Sequence, residues 1–567
     1  RRMPTAFPDY RVSQPDLTET SHRYGEFHAR LAAATSALDC LAIVADWDEL
    51  LCQFKEWSSL TYIRFQQDTR NAGYKAAMDE LDAIAPKYAD LETKFKQALL
   101  DSPFRSELEK TLTPMLFAKW ECNTKSFAPA IEEDMAAEAK LQSAHTALTA
   151  GAEIEFRGDK FTISELEKFA DDADRDAREG ACRANSQWFS ANAPELDRIY
   201  DEQVKLRHTM AEKLGYRNFT ELGYQRMTRI GYGPEEVATF RDEIRDKVVP
   251  LALEIAKKQR ATLGVDQLMF WDHGAHSASG NPKPQGDHDW MVERATEMFG
   301  EMGHGLDSFF DEMKARDAMD LKSRRGKGGG GFCDFLHQYE FPFIFSNFNG
   351  TRGDVDVFTH EIGHAFQSYN SRNQPMSDIV WPTTEACEIH SMALEFLTWP
   401  HMEKFYGESV AEELCSIHLS TYLQFLCYGV SIDHFQHLVY EKPDATPEER
   451  NIMWQEIEKT YLPWWDFADL PAERSGRLWQ QKAHIYQSPF YYIDYCLALT
   501  GALQFWSKSR TDPKATLKSY AELCTLGGSK PYTGLLESAG LRSPFEPGCL
   551  DEVIQDAKNY LDSAGGN

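Results

Sequence analysis

No two of the eleven cysteines stand at C-x-x-C spacing, and their number is odd. That excludes a disulfide framework and a cysteine zinc site, and it favours a reducing compartment. Long apolar runs are missing too: none approaches the roughly 18 residues a membrane helix needs. The first residues, Arg1 to Asp9, are basic but lack the apolar stretch of a signal peptide. Positive charge is in short supply, with 60 Lys and Arg against 89 Asp and Glu, a net −29. Nucleic acid and anionic membrane surfaces need basic patches, so neither is an expected partner. The Gly326-Lys327 pair lacks the G-x-x-x-x-G-K-[ST] spacing of a phosphate loop. There is no internal repeat. What remains is a soluble, cytoplasmic protein.

The chain has 567 residues, 42% of them hydrophobic and 26% charged, enough for two or three domains or one large two-lobed enzyme. Helical periodicity dominates. Trp47, Leu50, Leu51, Phe54, Trp57 and Leu60 recur at three- and four-residue steps, as do Val237, Phe240, Ile244, Val248, Leu251 and Ile255 after a Gly233-Pro234 start. Strand signals are few. Ile154–Phe156 and Lys160–Thr162 flank Arg157-Gly158-Asp159 as a short hairpin, and Ser164 with Glu167 forms a capping box for the next helix. A second strand region runs over 332–348, and Pro342 inside it predicts a sheet edge. Residues 272–289 read as a solvated polar loop in which His273, His276 and His288 hold no fixed geometry, and 323–331 as a flexible glycine loop. The expected division is a helical N-terminal lobe over 1–145 and a catalytic lobe over 146–567.

The strongest chemical signal is His360-Glu361-Ile362-Gly363-His364. Residues four apart on a helix face the same way, so both imidazoles can reach one ion. Glu361 projects beside that ion, where it can take a proton from a bound water. Asp354 can cap this helix, and Val355, Val357 and Phe358 make its start apolar, so it should be buried. A catalytic zinc takes three protein ligands and leaves the fourth position to water. The third should lie on another segment, and residues 385–395 offer Glu385, Glu388 and Glu395 on overlapping helix faces. Glu388 stands 28 residues after His360, far enough for the chain to turn and bring a second helix alongside.

Three stretches, 350–367 (GTRGDVDVFTHEIGHAFQ), 388–395 (EIHSMALE) and 489–495 (PFYYIDY), resemble the thimet oligopeptidase and oligoendopeptidase F family of zinc peptidases, in particular its smaller Pz-peptidase-like bacterial members. The resemblance covers the chain from about residue 140 to its end, and more faintly the N-terminal lobe. It implies one zinc per chain, held by His360, His364 and Glu388, with Glu361 as the base. It also implies that His484, Tyr492 and Tyr495 face the zinc across a cleft as donors to the oxyanion, although the family spacing of histidine and tyrosines is not reproduced here. Judged on composition alone these would be core aromatics. Many zincins place a carboxylate four residues after the glutamate ligand, but here that position is Met392. Ser391, Glu395 or a backbone carbonyl remains to orient the histidines.

The fold implied is mainly α, a two-lobed helical zincin with a deep central substrate channel and a small β-sheet beside the active site. The implied reaction is hydrolysis of internal bonds in short peptides, with the strand Phe341–Phe348 as a place for the substrate backbone to pair. A helical HEXXH metallocarboxypeptidase would use the same ligands but needs a basic group for the terminal carboxylate, and no arginine cluster compels one. A non-catalytic zinc-binding protein would use four protein ligands and have no need of Glu361. Side-chain preference and oligomeric state are not written in these motifs.

Overall fold

The apolar stripes become buried helix faces. In a computed structural model that describes residues 5–324, 326–348 and 350–564, helices dominate and five short strands form two small sheets. Arg1 to Pro4 and Arg325 lie outside the described residues. Helix Ala37–Gln67 buries Trp47, Leu50, Leu51, Trp57 and Leu60, and Ser36 caps it by accepting from the Asp39 N–H at 3.2 Å. The stripe from Val237 to Ile255 is buried at every expected position. A π-helical turn at Ile244–Val248 interrupts its helix just before Pro250, which lacks the N–H that an unbroken ladder requires. No helix among the described residues is long and apolar enough to cross a membrane. All eleven cysteines are free.

Packing divides the chain into two units, each assembled from separated segments. One comprises Arg1–Thr124, Lys283–Ala411 and Gly501–Ser543; the other Lys125–Pro282, Glu412–Thr500 and Pro544–Asn567. This grouping follows a different line from the boundary expected near residue 145. In the first unit Trp47 packs edge-on against Phe95 and Trp120, at ring distances of 5.0 and 5.6 Å, and Met376 and Ile379 join the same core. Residues before 124 thus share a core with the segment that follows the H-E-I-G-H motif.

The hairpin of the second unit pairs β1 (Ile154–Phe156) with β2 (Asp159–Phe161). Its two turn residues, Arg157 and Gly158, both have positive φ (51° and 87°), as a type I′ turn demands. The capping box lies two residues before the expected one. Thr162 accepts from the Glu165 N–H at 3.2 Å and Glu165 accepts from the Thr162 N–H at 2.8 Å, because Thr162 is the last extended residue before the helix.

The first unit holds the other sheet, in the order β3 (Met319–Lys322), β5 (Phe341–Phe348), β4 (Phe332–Leu336). One strand of the 332–348 region, β4, does lie at an edge, but Pro342 itself sits in the central strand β5. The Ile344 N–H points toward β3, donating to the Ala318 carbonyl at 3.0 Å, and backbone polarity repeats every second residue. The N–H that Pro342 lacks would point the same way, but β3 pairs with β5 only from Ile344 onward. The proline is tolerated because the sheet is locally one-sided there. It also follows that Phe341–Phe348 is not a free edge for a substrate; β4 is the outer strand on that side. The glycine-rich stretch is pinned at Lys327, whose buried ammonium donates to Asp320 Oδ1 at 2.9 Å and lies 4.5 Å from the Phe345 ring centre.

Candidate metal centre

The H-E-I-G-H motif lies in helix Gly353–Asn370, packed beside β5 and β4. Asp354 is not its cap. It lies in the first turn, with Arg352 at the cap position, and accepts the Gly350 N–H at 2.7 Å, so it ties the preceding turn to the helix. Val355 and Phe358 are buried, whereas Val357 is 38% exposed. The helix buries one face, as the motif requires.

Glu388 comes from the neighbouring helix Thr384–Leu397. Its Oε2 stands 3.2 Å from His360 Nε2 and 3.4 Å from His364 Nε2. With metal–ligand bonds of about 2.0–2.2 Å, the edge of a tetrahedron is about 3.3–3.6 Å, so the donor set fits a zinc ion. Among the described residues this is the one group of three such side chains able to hold a metal. His273, His276 and His288 form no such group; His273 follows a 3-10 turn and His288 opens helix His288–Met302.

The close approach of the two helices depends on Gly363. A Cβ there would stand 2.6 Å from the His390 carbonyl oxygen and 2.7 Å from the Ser391 Cα. A glycine inside a helix costs about 1 kcal/mol against alanine. That cost is the sequence signal that the backbone of a neighbour passes close, and it was available in the motif itself. Ser391 donates to Glu388 Oε2 at 2.9 Å and fixes the carboxylate. Glu395, about two turns along from Glu388, meets His360 Nδ1 at 2.7 Å. Among Ser391, Glu395 and a backbone carbonyl, it is therefore Glu395 that orients His360, while Ser391 orients the other ligand. The hydroxyl of Tyr520 donates to the His390 carbonyl at 2.7 Å, a contact from a distant segment that no local pattern announces.

Burial alone would lower the His360 pKa, but the carboxylates of Glu388 and Glu395 outweigh it and hold it well above the usual value. Burial alone would raise Glu388, and the two imidazoles hold it well below the carboxylate range. Glu361 differs. Burial raises its pKa, the two histidines only partly oppose this, and its Oε2 is buried with no hydrogen-bond partner. A carboxylate left unpaired and desolvated beside a metal-ligand set is a strong base. Gly331 lies at its other oxygen; a Cβ there would come within 3.5 Å of Glu361 Oε1.

His484, Tyr492 and Tyr495 gather in the second unit, together with Tyr491, which the sequence reading did not single out. The His484 ring lies 5.0 Å from Tyr492, 6.1 Å from Tyr495 and 5.9 Å from Tyr491, and the Tyr495 hydroxyl donates to that of Tyr491 at 3.2 Å. The turn that presents them passes through Phe490 at φ 66°, an uncommon conformation for a side chain this large. It is held from three sides. Arg229 donates to the Phe490 carbonyl at 2.7 Å and pairs with Asp494, the Gln436 amide oxygen accepts the Phe490 N–H at 2.9 Å, and Gly223 leaves room for the ring. Burial, with Lys482 adding to it, pushes His484 down to about 4, so its imidazole is neutral near pH 7.

Comparison with known proteins places these features in a family. A model of peptidase family M3 matches residues 169–553, and a model of the peptidase M3 N-terminal domain matches residues 7–127. A curated relative, oligopeptidase PepF of Bacillus subtilis (strain 168), is 20% identical over 344 residues, which are 58% of this chain and 50% of the relative. The match thus spans about half the length of that protein. Two solved structures are similar over nearly the whole chain. One is Pz peptidase A with inhibitor 2, 41% identical at a TM-score of 0.91, covering 98% of this chain and 99% of its own. The other, a putative oligoendopeptidase F from Bacillus anthracis str. Ames, is 41% identical at 0.87, covering 99% and 98%.

Proposed function

The chain belongs to peptidase family M3, and on that premise we propose that it is a zinc endopeptidase that hydrolyses internal bonds of short peptides. The observation that carries the reading is the triangle of His360, His364 and Glu388 with the unpartnered, buried carboxylate of Glu361 beside it. The names of its similar relatives, an oligopeptidase and an oligoendopeptidase, support peptides as substrates.

When bound, the zinc supplies Lewis acidity, polarising the scissile carbonyl and making the attacking water more acidic. His360, His364 and Glu388 hold it, and Glu395 keeps the His360 proton on Nδ1 so that Nε2 is free to ligate. Glu361 takes the proton of the attacking water and returns it to the leaving nitrogen. The family resemblance assigns Tyr495, with His484 and Tyr492, to donate hydrogen bonds to the oxyanion. The substrate backbone is extended along the outer edge of β4, which begins next to Gly331 at the Glu361 carboxylate. Eleven free cysteines fit a reducing compartment, and we place the enzyme in the cytoplasm.

Elemental analysis of the purified protein tests the centre: one zinc per chain, lost in His360→Ala, His364→Ala and Glu388→Ala. Glu361→Gln separates holding the metal from chemistry, because it should retain the zinc while turnover falls by roughly three or more orders of magnitude. Zinc undiminished in all three ligand variants, or a Glu361→Gln enzyme with more than about a tenth of the activity, would sink the assignment.

A further inference from the structure

The second unit contains a cavity of about 500 Å³ whose lining includes none of the residues assigned to the peptidase chemistry. Two long helices supply its walls. Arg178 and Asn185 come from one face of helix Arg175–Lys213, and Gln424 and Tyr428 from one face of helix Glu408–Glu441. Trp271 and Lys482 come from short connections between elements. The volume is that of a site for a small organic ligand, and aromatic side chains make up much of the lining.

Buried polar groups are normally satisfied, so those that are not point to what is missing. Arg178 Nε, Trp271 Nε1, Gln424 Nε2 and Trp464 Nε1 are buried without a partner. All four are donors. Against them stands one unpartnered acceptor, the Asn185 carbonyl oxygen, while Thr421 Oγ1 and His273 Nε2 can play either part. The remaining polar groups of Arg178 are engaged by Asp272 and the Asp172 carbonyl, so its Nε is not left over through misorientation of the side chain. Lys482 adds an ammonium group. Its ammonium lies 5.4 Å from the Tyr428 ring centre and 5.0 Å from that of Tyr492, and no carboxylate among the described residues is within ion-pair distance. Burial pulls its pKa down, and the carboxylate of Glu167, which also lines the cavity, partly offsets this.

We propose that this cavity is a binding site for a carboxylate carried on an aromatic or bulky apolar group, with the carboxylate on Lys482 and the N–H donors of Arg178, Trp271 and Gln424, and the apolar body among the rings. Such a group is presented by an apolar amino acid or by the C-terminal residue of a peptide. The site does not depend on the metal, so it is testable with the zinc removed.

The probe is 3-phenylpropionate, titrated into the metal-stripped full-length protein and followed by tryptophan fluorescence, with 3-phenylpropanamide as its neutral counterpart. The acid should bind at least about tenfold more tightly than the amide, the scale of a charge-assisted contact. Lys482→Met should abolish that preference while leaving binding of the amide unchanged, and Lys482→Arg should largely keep it. Unchanged amide binding shows that the variant cavity is intact. Displacement of the probe by phenylalanine but not by N-acetylphenylalanine assigns a free amino-acid ligand; displacement by N-acetylphenylalanine and by a longer peptide ending in phenylalanine assigns a peptide terminus. Equal binding of acid and amide, an acid preference that survives Lys482→Met, or no binding up to about 10 mM overturns the proposal.

Discussion

A methyl group at position 363 would have to push back the His390 carbonyl and the Ser391 Cα, both backbone atoms of the helix that carries Glu388. Gly363→Ala should raise helix propensity and still weaken the centre, because the 3.2 and 3.4 Å spacings to Glu388 widen as the helices part. A fall in zinc affinity of about 10–100-fold in chelator competition is expected, the size of a lost supporting contact; affinity equal to wild type would show that the helices have slack. Tyr495 offers a different kind of test. Tyr495→Phe removes a hydroxyl hydrogen-bonded to Tyr491, and an oxyanion donor is worth roughly 2.7–4 kcal/mol in the transition state. Its loss belongs in kcat with KM little changed; normal kcat with a lower Tm would make the cluster a packing feature. Glu458 belongs to neither group. Burial pushes its pKa up to about 8, although Trp454 donates to it, and Glu473 adds to the rise. A carboxyl raised in the folded state binds its proton there while the unfolded chain, near 4.5, has already released it. Stability is therefore lost as pH rises from about 4.5 to about 8. Glu458→Gln should stabilise the protein more at pH 8 than at pH 5, by an amount on the order of a few kcal/mol in denaturant titrations; a gain independent of pH would contradict the raised pKa.

Between the helix of His360 and His364 and the helix of Glu388 runs the connection 371–383, and how it is anchored decides whether Glu388 arrives at the histidines. Asp378 is its fixed point. Lys55 meets one carboxylate oxygen at 2.6 Å, Trp120 Nε1 the other at 3.0 Å, Lys96 approaches to 3.5 Å, and Lys119 donates to its backbone carbonyl at 2.6 Å. Burial would raise this carboxyl, but the three ammonium groups hold it well below its usual range. Removing one partner from such a network leaves buried charge uncompensated, so Asp378→Asn should cost roughly 3–5 kcal/mol in denaturant unfolding. A loss under about 1 kcal/mol would mean that water reaches the lysines. None of this network is periodic, and no sequence pattern signals it. At this scale legibility follows range. The stripe from Trp47 to Leu60 and the i, i+4 pair His360 and His364 are set by one helix and could be read directly. The capping box slipped by two residues, and Asp354 serves the turn before its helix, because several oxygens in each stretch can accept an N–H and only the backbone path chooses. Pro342 signalled that its region holds an edge strand, which is β4, but not where its own strand lies: it excludes a hydrogen bond on one side of one residue, not a central place for the whole strand.

At the scale of the molecule, the unit that holds His360, His364 and Glu388 is built from three stretches far apart in the chain, so a boundary drawn along the sequence had nothing local to follow. Contacts such as Asp48 with Ser377 join residues more than three hundred positions apart, and neither periodicity nor spacing reports on those. Function was more legible than packing because its signature is chemical and compact: two imidazoles one turn apart, a carboxylate between them, and a glutamate on the next helix. The same compactness leaves one question to the reaction itself, whether bonds are cut inside a peptide or at its carboxyl end. An extended backbone lying along β4 is held by main-chain hydrogen bonds on both sides of the scissile bond, and such binding needs neither a free amine nor a free carboxylate. A folded domain cannot present that extended strand without unfolding, which costs on the order of 5–15 kcal/mol. A peptide of roughly ten residues, acetylated and amidated, should therefore be cleaved internally at a rate similar to its unblocked twin, while native folded proteins stay intact. A time course by mass spectrometry on both peptides, with a folded protein as control, reads the answer. Single residues leaving the C-terminus of the free peptide, with the amidated one untouched, would make the enzyme a carboxypeptidase built on the same three ligands.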